Sequence, residues 1–215
     1  MVKYHGCHYE QSEFQVRFRD QVSERLLESA GRVLRESGIH RISVRRIALD
    51  ADMSTMNVYS RFGSLSGLLD QLVTEGFEEF ESALNEVAPT NDAVADLVRF
   101  GRTYRSWVLE HPAKYRLMMT TGASEYEAGP QALEARRHLI DMLGGRVVEA
   151  RATRADNVAK LTAEEAAQIV LSMLHGMLML ELDGVVLELD EPDVWAERFA
   201  AVIRFGLSQT ASDAA

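Results

Sequence analysis

The chain reads as all-α, with about nine helices, and three observations lead there. Its 4 prolines stand at positions 89, 112, 130 and 192. Proline inside a helix costs about 3 kcal/mol, so helices belong between these points rather than across them. The intervals are rich in Ala, Leu, Glu, Arg and Met, the better helix formers. Val, Ile and Thr rarely alternate with polar residues in the period of a strand. Leu182 to Leu189 alternates weakly, but Asp183 and Gly184 within it read as a helix end.

With 215 residues, 47% of them hydrophobic and 26% charged, the composition is that of a globular protein. A chain of this length buries about 70% of its unfolded surface without needing staples. The single cysteine, Cys7, excludes an intrachain disulfide and a multi-cysteine zinc site. No apolar segment of a signal peptide stands at the start. The most apolar run, Ala166 to Leu180, is broken by Gln168, Ser172 and His175 and is shorter than the ~20 residues of a spanning helix. A cytoplasmic protein with no membrane association is the expectation.

Charge is unevenly distributed. The formal net charge is −10, yet residues 1–72 balance at +1 and residues 73–215 at −11. Arg41, Arg45, Arg46 and Arg61 cluster between His40 and Phe62 against Asp50 and Asp52. A polyanion responds to the local field, screened beyond about 8–10 Å at physiological salt, rather than to the mean. The same asymmetry is also what an ordinary solvated surface gives.

Ser12 and Gln15 have the form of a capping box ahead of an amphipathic helix whose apolar positions run Phe14, Phe18, Val22, Leu26, Ala30, Val33 and Leu34, stopping at Gly38. Ser43 caps a short second helix with inner face Val44, Ile47, Ala48 and Ala51. Asp52-Met53 makes a break, and Ser54 caps a third helix from Thr55 to Phe62. Gly63-Ser64 breaks it again before a long helix from Leu65 to about Val87. Two short helices across a tight turn, braced by a longer one, form a helix-turn-helix. Thr55, Met56, Asn57, Tyr59, Ser60 and Arg61 then face outward on a helix that fits the ~12 Å major groove of B-DNA. The helix starts at Ser43 and Ser54 offer amides to phosphate, with Arg45 and Arg46 alongside and the Tyr59 hydroxyl as a further donor. A ligand-free three-helix packing motif would show the same spacing.

The ordered set Ala30, Val33-Leu34, Gly38, Ile42-Ser43-Val44-Arg45, Ile47-Ala48, Ala51, Met53-Ser54, Val58-Tyr59, Phe62-Gly63-Ser64 and Leu68-Leu69 resembles the DNA-binding head of the TetR family. The resemblance implies operator binding by Ser43, Arg45, Arg46, Ser54, Thr55, Met56, Asn57, Tyr59, Ser60 and Arg61. Two departures stand out. Asp52 occupies a position usually held by glycine, and Leu65 one commonly held by a phosphate-binding lysine. The first is tolerated because a short polar side chain accepts left-handed backbone; the second removes one positive anchor.

Beyond Pro89, helices are predicted at about 91–110, 112–120, 131–152, 163–183 and 191–208, with Thr162 and Glu165 as a capping box and Asp190 with Pro192 opening the last. Helix 163–183 is apolar almost all round and needs cover on several sides. Val170, Leu174, Leu178, Phe199, Ile203 and Leu207 are the expected dimer face, pairing two helices with their symmetry mates; a monomer with one large core is the alternative. His111-Pro112-Ala113, Tyr115 to Met118, and Leu174-His175-Gly176 resemble the C-terminal regulatory region of a TetR subgroup marked by Trp-His-Gly, with Leu174 in place of Trp. In that family the region holds a small-molecule pocket. Candidates for its lining are Tyr104, Trp107, Tyr115, Met118, Met119, Met173, His175, Met177 and Met179, which would equally serve as plain core.

No dinucleotide-binding glycine motif, Walker loop or nucleophile elbow occurs, and no Glu-x-x-His pair is present. His5, Cys7 and His8 belong to a tail rather than a metal site, and Glu75, Glu78, Glu79 and Glu81 to a solvated face. No catalytic residue, metal or cofactor is expected. The division is a DNA-binding unit over 1–64, with a tail at 1–11, and a ligand-binding and dimerisation unit over 65–215. The predicted function is a homodimeric repressor released from near-palindromic operator DNA by a small apolar or amphipathic effector. The alternatives are a helical small-molecule-binding protein or enzyme with a vestigial head, and an interaction scaffold using the apolar 163–183 surface.

Overall fold

Residues 20–119, 126–152, 162–185 and 191–208 are described by a computed structural model, and among them the backbone forms nine α-helices and no strand. The first, α1 (Gln21–Ser37), opens under the Asp20 carboxylate, which accepts the Ser23 amide at 2.7 Å. Aspartate is as good an N-cap as serine. The Ser12 capping box, Phe14 and Phe18 lie outside the described residues, as do His5, Cys7 and His8. The helix stops at Gly38, whose φ of 71° returns its amide to the Leu34 carbonyl. A short 3₁₀ turn, Ile39–Arg41, follows.

α2 (Val44–Asp50) and α3 (Thr55–Phe62) are joined at Asp52, whose φ is 53°. The turn expected there survives without glycine, and the Met53 amide closes it on the Ala48 carbonyl at 2.8 Å. α1 braces the end of α2 through its own side chains. Ser29 Oγ donates to the Ile47 carbonyl at 2.8 Å, Arg25 to the Ala51 carbonyl at 2.8 Å, and Arg32 pairs with Asp50 at 2.9 Å. A cation at the carbonyl end of a helix also opposes its dipole.

α4 (Leu65–Asn85) starts at Ser64, whose hydroxyl accepts the Gly67 amide at 3.0 Å. A Cβ on Gly67 would stand 2.1 Å from the Phe62 carbonyl oxygen, so only glycine lets α4 leave α3 so closely. The inner face of α4 (Leu68, Leu69, Leu72, Val73, Phe77, Phe80, Leu84) carries the buried cluster from Leu26, Ile47 and Val58 into the remaining helices without a break.

Those helices are α5 (Ala93–Glu110), α6 (Pro112–Met119), α7 (Pro130–Ala152), α8 (Ala163–Leu182) and α9 (Pro192–Ser208), close to the expected spans. The predicted capping box of α8 is complete, with Thr162 N to Glu165 Oε2 at 2.7 Å and Glu165 N to Thr162 Oγ1 at 3.1 Å. Asp190 lies outside the described residues. α9 lies against α5 at Gly101, where an added Cβ would come within 2.2 Å of the Phe199 ring. Arg105 of α5 forms a forked ion pair with Glu181 of α8, its guanidinium 5.8 Å from the Trp195 ring centre.

The residues of the expected dimer face take part in the packing of the single chain. Val170, Leu174, Leu178, Phe199 and Ile203 are buried within the chain itself, so their side chains are already covered by its own helices. The side chain of Leu207 lies outside the described residues. Among the described residues the large apolar side chains of α8 most open to solvent are Ile169 and Leu180, 43% and 45% exposed. No helix among the described residues is long and apolar enough to cross a membrane.

Candidate functional site

In the head, Ser43 caps α2 as its position suggests, its Oγ accepting the Arg46 amide at 3.3 Å. Ser54 stands at the N-cap of α3 but its hydroxyl does not cap; it accepts from the Asn57 side-chain amide at 3.2 Å. The outward face of α3 is dominated by Met56, 70% exposed, and Tyr59, 52% exposed. Arg45 and Arg46 of α2 are exposed, and Thr55 is half-buried.

Arg61 is not free on this face. Its Nε lies 3.1 Å from both Asp20 oxygens, a further guanidinium nitrogen lies 3.0 Å from Asp20 Oδ2, and Nη1 donates to Asn57 Oδ1 at 3.3 Å and Ser60 Oγ at 3.2 Å. Ser60 Oγ in turn donates to the Asn57 carbonyl at 3.2 Å. The Arg61 bonds, then the Ser23 amide, hold the Asp20 carboxyl down at about 2. Asn57, Ser60 and Arg61 thus form one network closed on α1's cap, an arrangement that sequence spacing does not reveal. Leu65 is half-buried against the core and supplies no charge to the surface.

The candidate effector residues fall into two groups. Tyr104, Trp107 and Tyr115 meet in a buried aromatic cluster with His175, whose ring centre is 5.7 Å from that of Tyr115. Tyr104 and Tyr115 join hydroxyls at 3.0 Å, and Tyr115 Oη lies 2.9 Å from His175 Nδ1. Burial raises both tyrosines above their ordinary range and lowers His175 below its own. Phe80 of α4, not singled out from the sequence, sits at the centre, stacked on Trp107 at 4.4 Å and edge-on to Tyr104 at 4.6 Å. His111 stacks on the other partner of that pair, Trp107, at 4.6 Å. Met119, Met173, Met177 and Met179 are half-buried against the core, and Met118 is buried where α6 meets α4. There a Cβ on Gly76 would stand 2.7 Å from Met118 Sδ, and Lys114 Nζ reaches Glu79 at 2.6 Å.

α4 is tied to the far side of α6 as well. Asp70 Oδ1 accepts the Gly129 amide at 2.6 Å and the Tyr126 hydroxyl at 3.1 Å, fixing the lead into α7. Arg136 of α7 donates to the Met118 carbonyl at 2.8 Å. An open cleft of about 500 Å³ lies where α1 meets α4 and α6, lined by Glu24, Glu28, Glu75 and Glu79 with Arg32, Arg35 and Lys114. Its charged walls are unlike the predicted apolar lining. Among the described residues no group of His, Cys, Asp and Glu is placed to hold a metal ion.

Two short helices, α2 and α3, across the turn at Asp52 and braced by α1 make a helix-turn-helix carried on a helical body. Residues 97–205, more than half of the chain, match the family described as "Tetracyclin repressor-like, C-terminal domain", and the chain belongs to the TetR family. It is similar to an HTH-type transcriptional regulator of Mycobacterium bovis, 26% identical over 117 residues that cover 52% of this chain and 49% of that protein. The chain thus spans about half the length of the curated relatives it matches. A solved structure of a protein of unknown function from Rhodococcus sp. RHA1 superposes with a TM-score of 0.72 at 24% identity, covering 91% of this chain and 100% of that one. A putative tetR family transcription regulator from Shewanella sp. PV-4 gives a TM-score of 0.65 at 17% identity over 87% and 96% of the two chains. Such likenesses establish a shared fold.

Proposed function

We propose that the chain is a homodimeric transcriptional repressor of the cytoplasm, released from operator DNA by a small apolar or amphipathic effector. Residues 1–64 serve as its DNA-binding unit and residues 65–215 as its ligand-binding and dimerisation unit. The carrying observation is the outward face of α3, where Met56 and Tyr59 stand clear of the protein, with Arg45 and Arg46 of α2 likewise exposed. Thr55 and Met56 suit apolar contact with thymine methyls, whereas Arg45, Arg46, Ser43 and Tyr59 suit phosphate. Two heads then enter successive major grooves about 34–36 Å apart.

The effector occupies the Tyr104, Trp107, Tyr115 and His175 region and favours a conformation with the heads wrongly spaced. α6 carries the change to α4 through Met118 against Gly76 and Lys114 against Glu79. By linkage, operator DNA weakens effector binding by the same factor. The dimer is assigned to the outward side of α8, at Ile169 and Leu180.

Selection of genomic fragments at moderate salt, followed by binding titrations, tests this reading. Arg45→Ala and Tyr59→Phe should weaken binding across sequences, and Arg45→Ala should flatten the salt slope by about one. Absence of duplex binding at low salt would favour the vestigial-head alternative. Equal effector affinity with and without operator would exclude the release mechanism.

A further inference from the structure

Tyr104 of α5, Tyr115 of α6 and His175 of α8 form a single file of hydrogen bonds, with steps of 3.0 Å and 2.9 Å. Counting protons gives the file a direction. The Tyr104 hydroxyl is fully buried, and among the described residues Tyr115 is its hydrogen-bond partner. A buried hydroxyl hydrogen without an acceptor forfeits its whole hydration, so Tyr104 donates to Tyr115. Tyr115, also fully buried, has one hydrogen, and the remaining partner for it is His175 Nδ1. Nδ1 is therefore an acceptor and the ring proton sits on Nε2. The opposite order, with Nδ1 donating, would strand the Tyr104 hydrogen inside the core.

The His175 ring is half-buried, and its Nε2 has no protein partner among the described residues. One helical turn to either side, Leu171 and Met179 are half-buried apolar groups on the same face of α8. A fixed donor flanked by apolar surface selects the chemistry of what it receives.

We propose that His175 Nε2–H anchors the effector, and that the effector's polar head is a hydrogen-bond acceptor, a carbonyl or carboxylate oxygen, rather than a donor-only group such as an ammonium. This rests on the effector reading above and adds the head-group class to it. Tyr104 and Tyr115 are positioning residues that hold the imidazole in its donating tautomer.

The test uses the full chain and three probes with one alkyl tail: decanoate, methyl decanoate and decylammonium. Calorimetry near neutral pH should show decanoate binding at least about tenfold more tightly than decylammonium, with the ester between them. His175→Gln places an amide N–H near the position of Nε2 and should keep decanoate affinity within about threefold, whereas His175→Leu should lose about tenfold or more. Nitrogen NMR of the ring should find Nε2 protonated in the ligand-free wild type, and a mixture of tautomers in Tyr115→Phe. Should His175→Leu fail to fold, the wild-type probe series and ring shifts still decide. A protonated Nδ1 with bare Nε2, equal binding of decylammonium, or undiminished decanoate binding by folded His175→Leu would each overturn the inference. Binding without head preference leaves the effector reading standing, whereas no binding by any of the three removes both.

Discussion

Arg61 carries a lesson about reading an exposed helix face. Its position on α3 marks it as a base reader, yet its guanidinium is engaged with Asp20, 41 residues earlier in sequence. Spacing along a helix shows which way a side chain leaves the backbone, not which distant carboxylate awaits it. The Asp20 carboxyl lies at about 2 against an ordinary 3.8, so the unfolded chain binds the proton first. The contribution of the pair is therefore complete above the ordinary value and fades as pH falls through the folded one. Wild type should unfold at higher temperature than Asp20→Asn at neutral pH, and the two midpoints should converge near pH 2. Asparagine keeps the helix cap, so the comparison isolates the charge. Salt should narrow the neutral-pH gap, since the pair is open to solvent. The turn residues were more legible: Asp52 adopts the left-handed conformation its chemistry allows, because that outcome depends on the residue and its immediate neighbours.

At the scale of elements, local rules predicted helix spans well and packing partners poorly. The Thr162 and Glu165 box formed because its members are three residues apart; the Arg105 and Glu181 pair, 76 residues apart, left no local trace. An apolar stripe states that a face is covered, not by what. Phe199 and Ile203 suggested a second subunit, whereas α5 of the same chain accepts Phe199 at Gly101. Gly101→Ala should consequently destabilise the protein by about 1–3 kcal/mol through overpacking against the ring. The same change at Gly176 meets nothing within 4 Å and should stabilise by up to about 1 kcal/mol. Urea unfolding of the two variants checks the opposite signs. The Arg105 and Glu181 side chains are 9% and 6% exposed. Glu181→Gln would remove the carboxylate onto which Arg105 forks and should lower stability, whereas Arg105→Met with Glu181→Leu should cost less than Glu181→Gln alone. A single variant as stable as wild type would show that the pair is well hydrated.

For the whole molecule, the charge imbalance along the sequence, +1 over residues 1–72 and −11 over the rest, gives the head and body different electrostatic characters. A polyanion approaching the body meets repulsion and approaching the head does not, which orients encounters before contact. Association rates with duplex DNA should therefore fall with salt less steeply than for a chain with the body's excess acids neutralised, because salt also screens the body's repulsion, as stopped-flow mixing would show. The aromatic cluster was legible in part: Tyr104, Trp107, Tyr115 and His175 do meet, but Phe80 arrives from α4, whose sequence marks only a buried face.

The hydrophobic seam that crosses residue 64 without a gap has a thermodynamic corollary. Apolar contacts shared across a boundary make melting of one side expose the other, so the helices before residue 64 cannot loosen while those after it stay intact. Scanning calorimetry should record a single endotherm, and amides of α2 and α7 should exchange with deuterium at a common slowest rate set by global opening.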